Sequence, residues 1–280
     1  MKITTYILIS SLIILNFGCG EHQKTISNTS QEYLEVPLRK WVNGYYVESQ
    51  EPNHTDNLIY NECLEVLYEY HYQKNGELKY FKQDVIMEDW EFIKSEDLNN
   101  GIGVKHIKLT ASNPNLDYDN SPQSAVRYEL LNSDNVSIGV ETTGVIENYW
   151  NIALHNTRSG FFQSLFSFPW PTIKFPIKDN KSWKWNFSYN SDLYGDSRIF
   201  KLMGDIEMKY SYSYIGEETL NLNFGMIKAS KFEAIGTNGT VTNKLVYYFN
   251  SKIGFVKQVF YADDGATIEL VAIEYTNNCE

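Results

Sequence analysis

Hydrophobic and polar residues alternate with a period of two over most of the chain. From Glu62 to Tyr72, Leu64, Val66, Tyr68, Tyr70 and Tyr72 fall on one side, with Glu65, Glu69 and His71 on the other. That is the signature of a half-buried strand. Lys74-Asn75-Gly76-Glu77 then turns the chain and Leu78 to Met87 returns it; Asn-Gly between alternating runs is a strong hairpin signal. Further strands are predicted over 104–111, 125–131, 136–141 and 145–154, with a loop over 113–123 that carries Pro114 and Pro122. Tyr33 to Trp41 reads as a short helical turn. The second half is more regular. Ile206, Met208, Tyr210, Tyr212 and Tyr214 share one face, and Glu207, Lys209, Ser211 and Ser213 the other. Strands are predicted there over 183–189, 206–214, 219–224, 226–235, 240–249, 255–261 and 267–275. The turns between the last of them hold Gly225, Asn238-Gly239, Gly254 and Asp263-Asp264-Gly265. Connections this short make neighbouring strands antiparallel.

Alternation fails in one place. Phe168-Pro169-Trp170-Pro171-Thr172-Ile173-Lys174-Phe175-Pro176, with Trp183-Lys184-Trp185 close behind, holds three of the seven prolines and three of the six tryptophans. Proline excludes helix interior and central strand, so this stretch is expected to be a crossover or rim between two runs of sheet. The fold class that follows is mainly β: a large antiparallel meander curled into a half-barrel or barrel-like sheet, with few or no long helices. So many strands in one open sheet curl or split into packed sheets. The expected boundaries are a signal segment over 1–18, a flexible tether over 19–32 and an antiparallel β domain over 33–280. Two lobes, 33–157 and 158–280, are the alternative division.

The N-terminus departs from this pattern. An apolar run from Tyr6 to Leu15 is followed by Asn16-Phe17-Gly18-Cys19. It is short for a membrane span and reads as an export signal. The Gly18-Cys19 junction resembles a bacterial lipoprotein cleavage site of the loose kind found in Bacteroidota. That resemblance implies lipidation of Cys19, a membrane partner through that lipid, and residence in the cell envelope. Residue 20 is Gly rather than Asp, which by analogy with enterobacterial sorting leaves the outer membrane as the expected destination. Cys63 and Cys279 remain, in an oxidising compartment. A disulfide between them and a pair of unpaired cysteines are both open readings.

Two further stretches carry a resemblance. Arg158-Ser159-Gly160-Phe161-Phe162 through Phe168-Pro169-Trp170 to Lys181-Ser182-Trp183, and Tyr247-Tyr248-Phe249 through Ile253-Gly254-Phe255-Val256-Lys257, are similar to a pattern in Bacteroidota lipoproteins that have no assigned activity. Such C-terminal halves resemble the curved half-barrels of LolA- and LolB-type lipoprotein carriers. The resemblance implies a concave antiparallel sheet over roughly 158–275. It supplies no active-site residues.

Composition narrows the function classes. The net charge is −11, which excludes the basic footprint of a nucleic-acid binder. Motifs of reaction chemistry are missing. There is no nucleophile elbow, and Ser159 and His155 lack the rest of a triad. No histidines pair at i, i+4 and no Cys-x-x-Cys occurs, so no metal site and no cofactor are expected. Asp117-Tyr118-Asp119 opens like a calcium loop, but Pro122 and Tyr128 stand at the glycine and glutamate positions. Glu217-Glu218 and Asp263-Asp264 read as acidic turn residues.

What stands out is aromatic density. Phe161, Phe162, Phe166, Phe168, Trp170, Phe175, Trp183, Trp185 and Phe187 fall within one short span, flanked by Arg158 and Lys174. Filling the core is the common fate of such rings. The alternative is a surface for an apolar small molecule or a glycan, with Arg158, Phe161, Phe162, Trp170, Trp183 and Trp185 as its candidate residues. The expected function is a lipid-anchored envelope protein with a non-catalytic binding or structural role, holding a hydrophobic ligand where the sheet is concave. The alternatives are a surface glycan-binding or glycan-processing lipoprotein and a subunit of an envelope complex. Protein partners are not specified by the sequence.

Overall fold

The computed structural model describes residues 40–42, 45–47, 57–84, 89–101, 103–112, 124–148, 150–190 and 205–277. Cys19, the signal and tether segments, the calcium-like stretch at 117–121 and Cys279 lie outside them. Two short strands, β1 (Lys40–Val42) and β2 (Tyr45–Val47), form a hairpin of their own. Lys40 and Trp41, expected in a helical turn, are therefore extended. The remaining strands are β3 (Leu64–Lys74), β4 (Glu77–Asp84), β5 (Asp89–Ile93), β6 (Gly103–Val104), β7 (His106–Ser112), β8 (Ser124–Leu131), β9 (Ser137–Glu147), β10 (Asn151–Leu154), β11 (Thr172–Lys174), β12 (Ser182–Asn190), β13 (Asp205–Leu222), β14 (Gly225–Thr237), β15 (Thr242–Asn250), β16 (Gly254–Tyr261) and β17 (Thr267–Asn277). Short 3-10 helices span Ser95–Asn100 and Gly160–Ser167.

All fifteen of these strands join one antiparallel sheet in the order β11-β10-β9-β8-β7-β3-β17-β16-β15-β14-β13-β12, with β4, β5 and β6 attached beside β3. Strands from both sides of the Pro-rich centre share it. The first long strand and the last meet in its middle: β3 pairs with β17 from Gln73↔Thr267 to Leu64↔Asn277. The edge strands β11 and β12 are consecutive in sequence. Seven residues, 175–181, cannot bridge a flat sheet of twelve strands spaced about 4.8 Å apart, so the sheet curls until its edges approach. The edges do not pair with each other, and the curl stays open.

The alternating faces divide as the sequence requires. Val66, Tyr68, Tyr70, Ile107, Leu109, Val126, Met208, Tyr210, Tyr212, Phe232, Leu245 and Tyr247 are buried on the concave side. The convex side carries cross-strand ion pairs: Lys257–Glu269 at 2.7 Å, His71–Glu269 at 3.6 Å, Lys108–Glu129 at 3.6 Å and Lys244–Glu233.

Two strands run further than the sequence suggests. β13 continues through Ile215–Glu218, so Glu217 and Glu218 are strand residues and not turn residues. A register shift between Tyr214 and Gly216 absorbs the break in alternation. β9 likewise continues to Glu147. The β13–β14 hairpin outruns its neighbours, since β15 pairs with β14 only as far as Ser230↔Phe249. Its far part bends back over that end of the sheet, burying Leu220 and Ala229 and setting the Phe224 ring 5.1 Å from Tyr275 of β17.

Candidate functional site

The aromatic segment lies inside the curl. After β10, residues 155–159 form a loop, the Gly160–Ser167 helix follows, and Phe168-Pro169-Trp170-Pro171 leads into β11. Gly160 enters the helix at φ 52°, a conformation that favours glycine. The helix closes with the Phe168 N–H donating to the Leu165 carbonyl at 3.1 Å. Pro169 and Pro171 are buried. Neither has an N–H, so the strap crosses the apolar interior without two donors that would otherwise need partners.

The rings span the concavity. Phe161 meets Tyr72 at 4.9 Å and Phe92 at 5.1 Å, and Phe162 meets Tyr70 at 5.4 Å and Phe81 at 5.2 Å. Phe168 lies edge-on to Phe260 at 5.5 Å, and Phe175 is 6.4 Å from Phe249. Trp170 lies 5.1 Å from Trp185 and 5.0 Å from Phe187 on β12, which brings the strap against the far edge of the sheet. Polar ties fix its height. The Tyr247 hydroxyl donates to the Thr172 carbonyl, and the buried Asn243 amide donates to Ser167 Oγ at 3.2 Å. Phe175 N–H reaches the Trp150 carbonyl at 2.7 Å.

The six candidate residues therefore share one region but not one exposed face. Phe161, Phe162 and Trp170 are buried, and Phe162 is fully so. Trp183 and Trp185 are half-buried on the inner side of β12. The Trp183 ring stacks on Tyr212 at 5.0 Å and 6°, which uses one of its two faces. Arg158 is half-buried, its Nε 3.4 Å from Glu141 and its guanidinium 6.0 Å from the Phe166 ring centre. Lys174 is held below the usual lysine range by burial. Side chains of the protein occupy the space in which an apolar ligand was expected.

Two carboxylates act as backbone clamps, and neither was singled out in the sequence. Glu141 Oε2 accepts from Arg158 N–H at 2.6 Å, Ser159 N–H at 2.8 Å and Thr157 Oγ1 at 2.9 Å. Glu147, 7% exposed, accepts from the N–H groups of Leu58, Ile59 and Tyr60 at 2.9, 3.0 and 2.8 Å. A signal existed for Glu147: period two places it with Val145 on the apolar side of β9, where an unpaired carboxylate is costly. Tyr60 in turn accepts from Phe255 N–H through its hydroxyl at 3.1 Å, so Glu147 ties the entering chain to the β15–β16 turn.

His155 packs 3.9 Å from the Trp170 ring, and burial, aided by Arg158, pushes its pKa down to about 3. It is neutral at physiological pH. Its Nε2 is buried and unpaired, and it makes no hydrogen bond to Ser159. Cys63 is disulfide-bonded. Among the described residues, no three His, Cys, Asp or Glu gather closely enough to hold a metal ion. None of the described helices is long and apolar enough to cross a membrane. An open groove of about 600 Å³ at the other end of β13 and β14 is lined by Asp205, Ile206, Glu207, Lys209, Thr237, Asn238 and Gly239.

No protein-family model and no curated protein matches the chain. The solved structures to which it is loosely similar include the following three. A candidate lipoprotein from Parabacteroides distasonis is 9% identical, covering 78% of this chain and 97% of its own at a TM-score of 0.42. An exported protein from Bacteroides fragilis with a YmcC-like fold is 9% identical, at 78% and 98% coverage and a TM-score of 0.39. The hypothetical lipoprotein YmcC from Escherichia coli is 14% identical, at 74% and 87% coverage and a TM-score of 0.31. Fits this loose do not carry a function across.

Proposed function

We propose that the chain is a lipid-anchored protein of the bacterial envelope with a non-catalytic structural or interaction role. The observation that carries this reading is the filled concavity: the strap from Gly160 to Phe175 occupies the inside of the sheet with its own rings. A carrier of acyl chains needs that space empty. The acidic side chains nearest the strap are engaged in holding backbone, which favours a static body over a reaction centre. Anchoring is read from Cys19 at the end of an export signal, and the tether after it keeps the body near one membrane. Native mass spectrometry of the protein purified from envelopes tests the central point. The expected mass is that of the lipidated polypeptide alone, and a stoichiometric non-covalent lipid would overturn the reading.

A second reading has one observation behind it. Trp183 and Trp185 form a half-buried row on the inner side of an edge strand, and tryptophan rings stack on sugars. Titration of the intrinsic fluorescence with envelope glycans separates the two, since the structural role predicts no saturable change.

A further inference from the structure

The β13–β14 hairpin turns through Asn223 and Gly225, ordinary turn residues, but the side chains set around that turn are apolar. Gly, Asn, Asp and Ser normally occupy such positions, as at Asn75-Gly76, Asn238-Gly239 and Asp263-Asp264-Gly265. Here Leu222 pairs with Gly225, and the connecting residues are Asn223 and Phe224. Met226, next to the turn, is 77% exposed, the highest value among the exposed large apolar side chains. Leu222, Phe224 and Ile227 are half-exposed beside it, and Tyr275, against which Phe224 packs, is 38% exposed.

The charge pattern is equally distinct. In a chain of net charge −11, the twelve residues from Thr219 to Ser230 contain no carboxylate and one lysine, Lys228. Lys252, on the neighbouring β15–β16 turn, is also exposed, and the nearest acid on the arm, Glu218, is paired with Lys231 at 2.9 Å. Apolar residues at an exposed tip, an adjoining tyrosine and nearby lysines are the make-up of a membrane-interface contact.

Position in the fold supports the same occupant. The chain enters the sheet through Asn57–Cys63, clamped by Glu147 and Tyr60 beside Phe255, at the end where β17 finishes and the hairpin projects. The described chain therefore enters the sheet at the end that carries the apolar tip. The Asn238-Gly239 and Asp263–Gly265 turns lie at the opposite end.

We propose that the β13–β14 hairpin tip rests on the lipid surface to which the protein is anchored, with Phe224, Met226 and Tyr275 at the headgroup level. This rests on the reading that Cys19 carries lipid, and the test keeps the two apart. Met226→Cys and, at the opposite end, Thr240→Cys are each labelled with an environment-sensitive fluorophore. Each is placed on phosphatidylethanolamine–phosphatidylglycerol vesicles in two forms: the lipidated full chain purified from membranes, and the mature chain held by a histidine tag at residue 19 to a nickel-chelating lipid. The label at 226 is expected to brighten about twofold with a blue shift in both forms, and the label at 240 to stay unchanged. No change at 226 in either form overturns the proposal and makes the tip a protein-contact surface. Brightening at 240 instead of 226 overturns it as well. If the purified full chain does not float with vesicles, while 226 brightens on the nickel lipid, the anchor reading falls and the membrane-facing tip stands.

Discussion

Replacing Glu147 by glutamine keeps the shape of the side chain and removes its charge. The carboxylate receives three backbone N–H groups, from Leu58, Ile59 and Tyr60, all within 3.0 Å. An amide has one acceptor oxygen where the carboxylate has two. If that oxygen keeps Leu58 and Ile59, the NH2 group faces the Tyr60 N–H, donor against donor. In the other orientation two N–H groups lose their acceptor. A hydrogen bond to a charged group contributes about 1.5–3 kcal/mol, and a buried donor left unmade costs about 1–3 kcal/mol. One lost bond, together with the weakening of those that remain, gives a destabilisation of about 3 kcal/mol. For a domain of this size that lowers Tm by about 6–12 °C. Differential scanning fluorimetry measures it, and hydrogen exchange at Leu58–Tyr60 localises it. Glu77→Gln is the control: this carboxylate is 69% exposed and pairs with Lys79 on the surface at 3.2 Å, so its loss leaves Tm unchanged. A Glu147→Gln protein that melts with the control would refute the account of Glu147 as the clamp on the entering chain.

Other outcomes follow from single features. Phe162→Ala empties the centre of the strap among Tyr70, Phe81 and Phe161, and is expected to cost about 3–5 kcal/mol by chemical denaturation; a cost under about 1 kcal/mol would mean the strap is not packed as described. His71, raised above 6.5 chiefly by its hydrogen bond to Glu269 and also by Glu69, stabilises the fold fully below pH 6.5, and that stabilisation fades as pH rises through its folded value. His71→Gln should therefore lose Tm relative to the parent in acid and converge with it above neutrality; an unchanging gap contradicts the linkage. Glu269, lowered to about 2 by His71 and Lys257, behaves oppositely: its contribution is present above pH 4.5 and is lost as pH falls toward 2, so Glu269→Gln and the parent converge in strong acid. Because Asn277 pairs with Leu64, next to the disulfide-bonded Cys63, Cys279 is the expected partner. Non-reducing peptide mapping should recover a Cys63–Cys279 peptide, and a Cys279 thiol open to alkylation would sink the pairing. Cys19→Ala should release the protein from membranes, and unchanged fractionation would contradict the anchor.

Much of the sheet was legible because burial on one face imposes period two. β3, β12, β15, β16 and β17 fall within a residue or two of the alternating runs, and their Asn-Gly and Asp-Gly turns are chemically explicit. The interruption at Gly216 was misread as a turn, because a β-bulge and a turn look alike when glycine and acidic residues break alternation. The Gly160–Ser167 helix was missed: eight residues of 3-10 helix around Phe-Phe-Gln-Ser-Leu-Phe show no period long enough to separate it from strand. The aromatic centre was recognised as a crossover, yet its place inside the curl depends on β11 and β12 lying at opposite edges. Long-range order of that kind leaves no local trace. The clamps at Glu141 and Glu147 were hidden for a related reason, since their partners are backbone groups that any residue supplies.

The pairing of β3 with β17 also governs how the molecule can be made. Both strands also pair with a neighbour close in sequence, β4 and β16, but the seam between them waits for the last eleven residues of the sheet. Until they arrive, the edges of β3 and β16 are both bare, and each is a template for pairing with another chain. A chain cut short before Thr267 would thus not be a smaller version of this protein but an adhesive one. The whole polypeptide must therefore be present, and kept apart from its copies, before the sheet can close its seam safely.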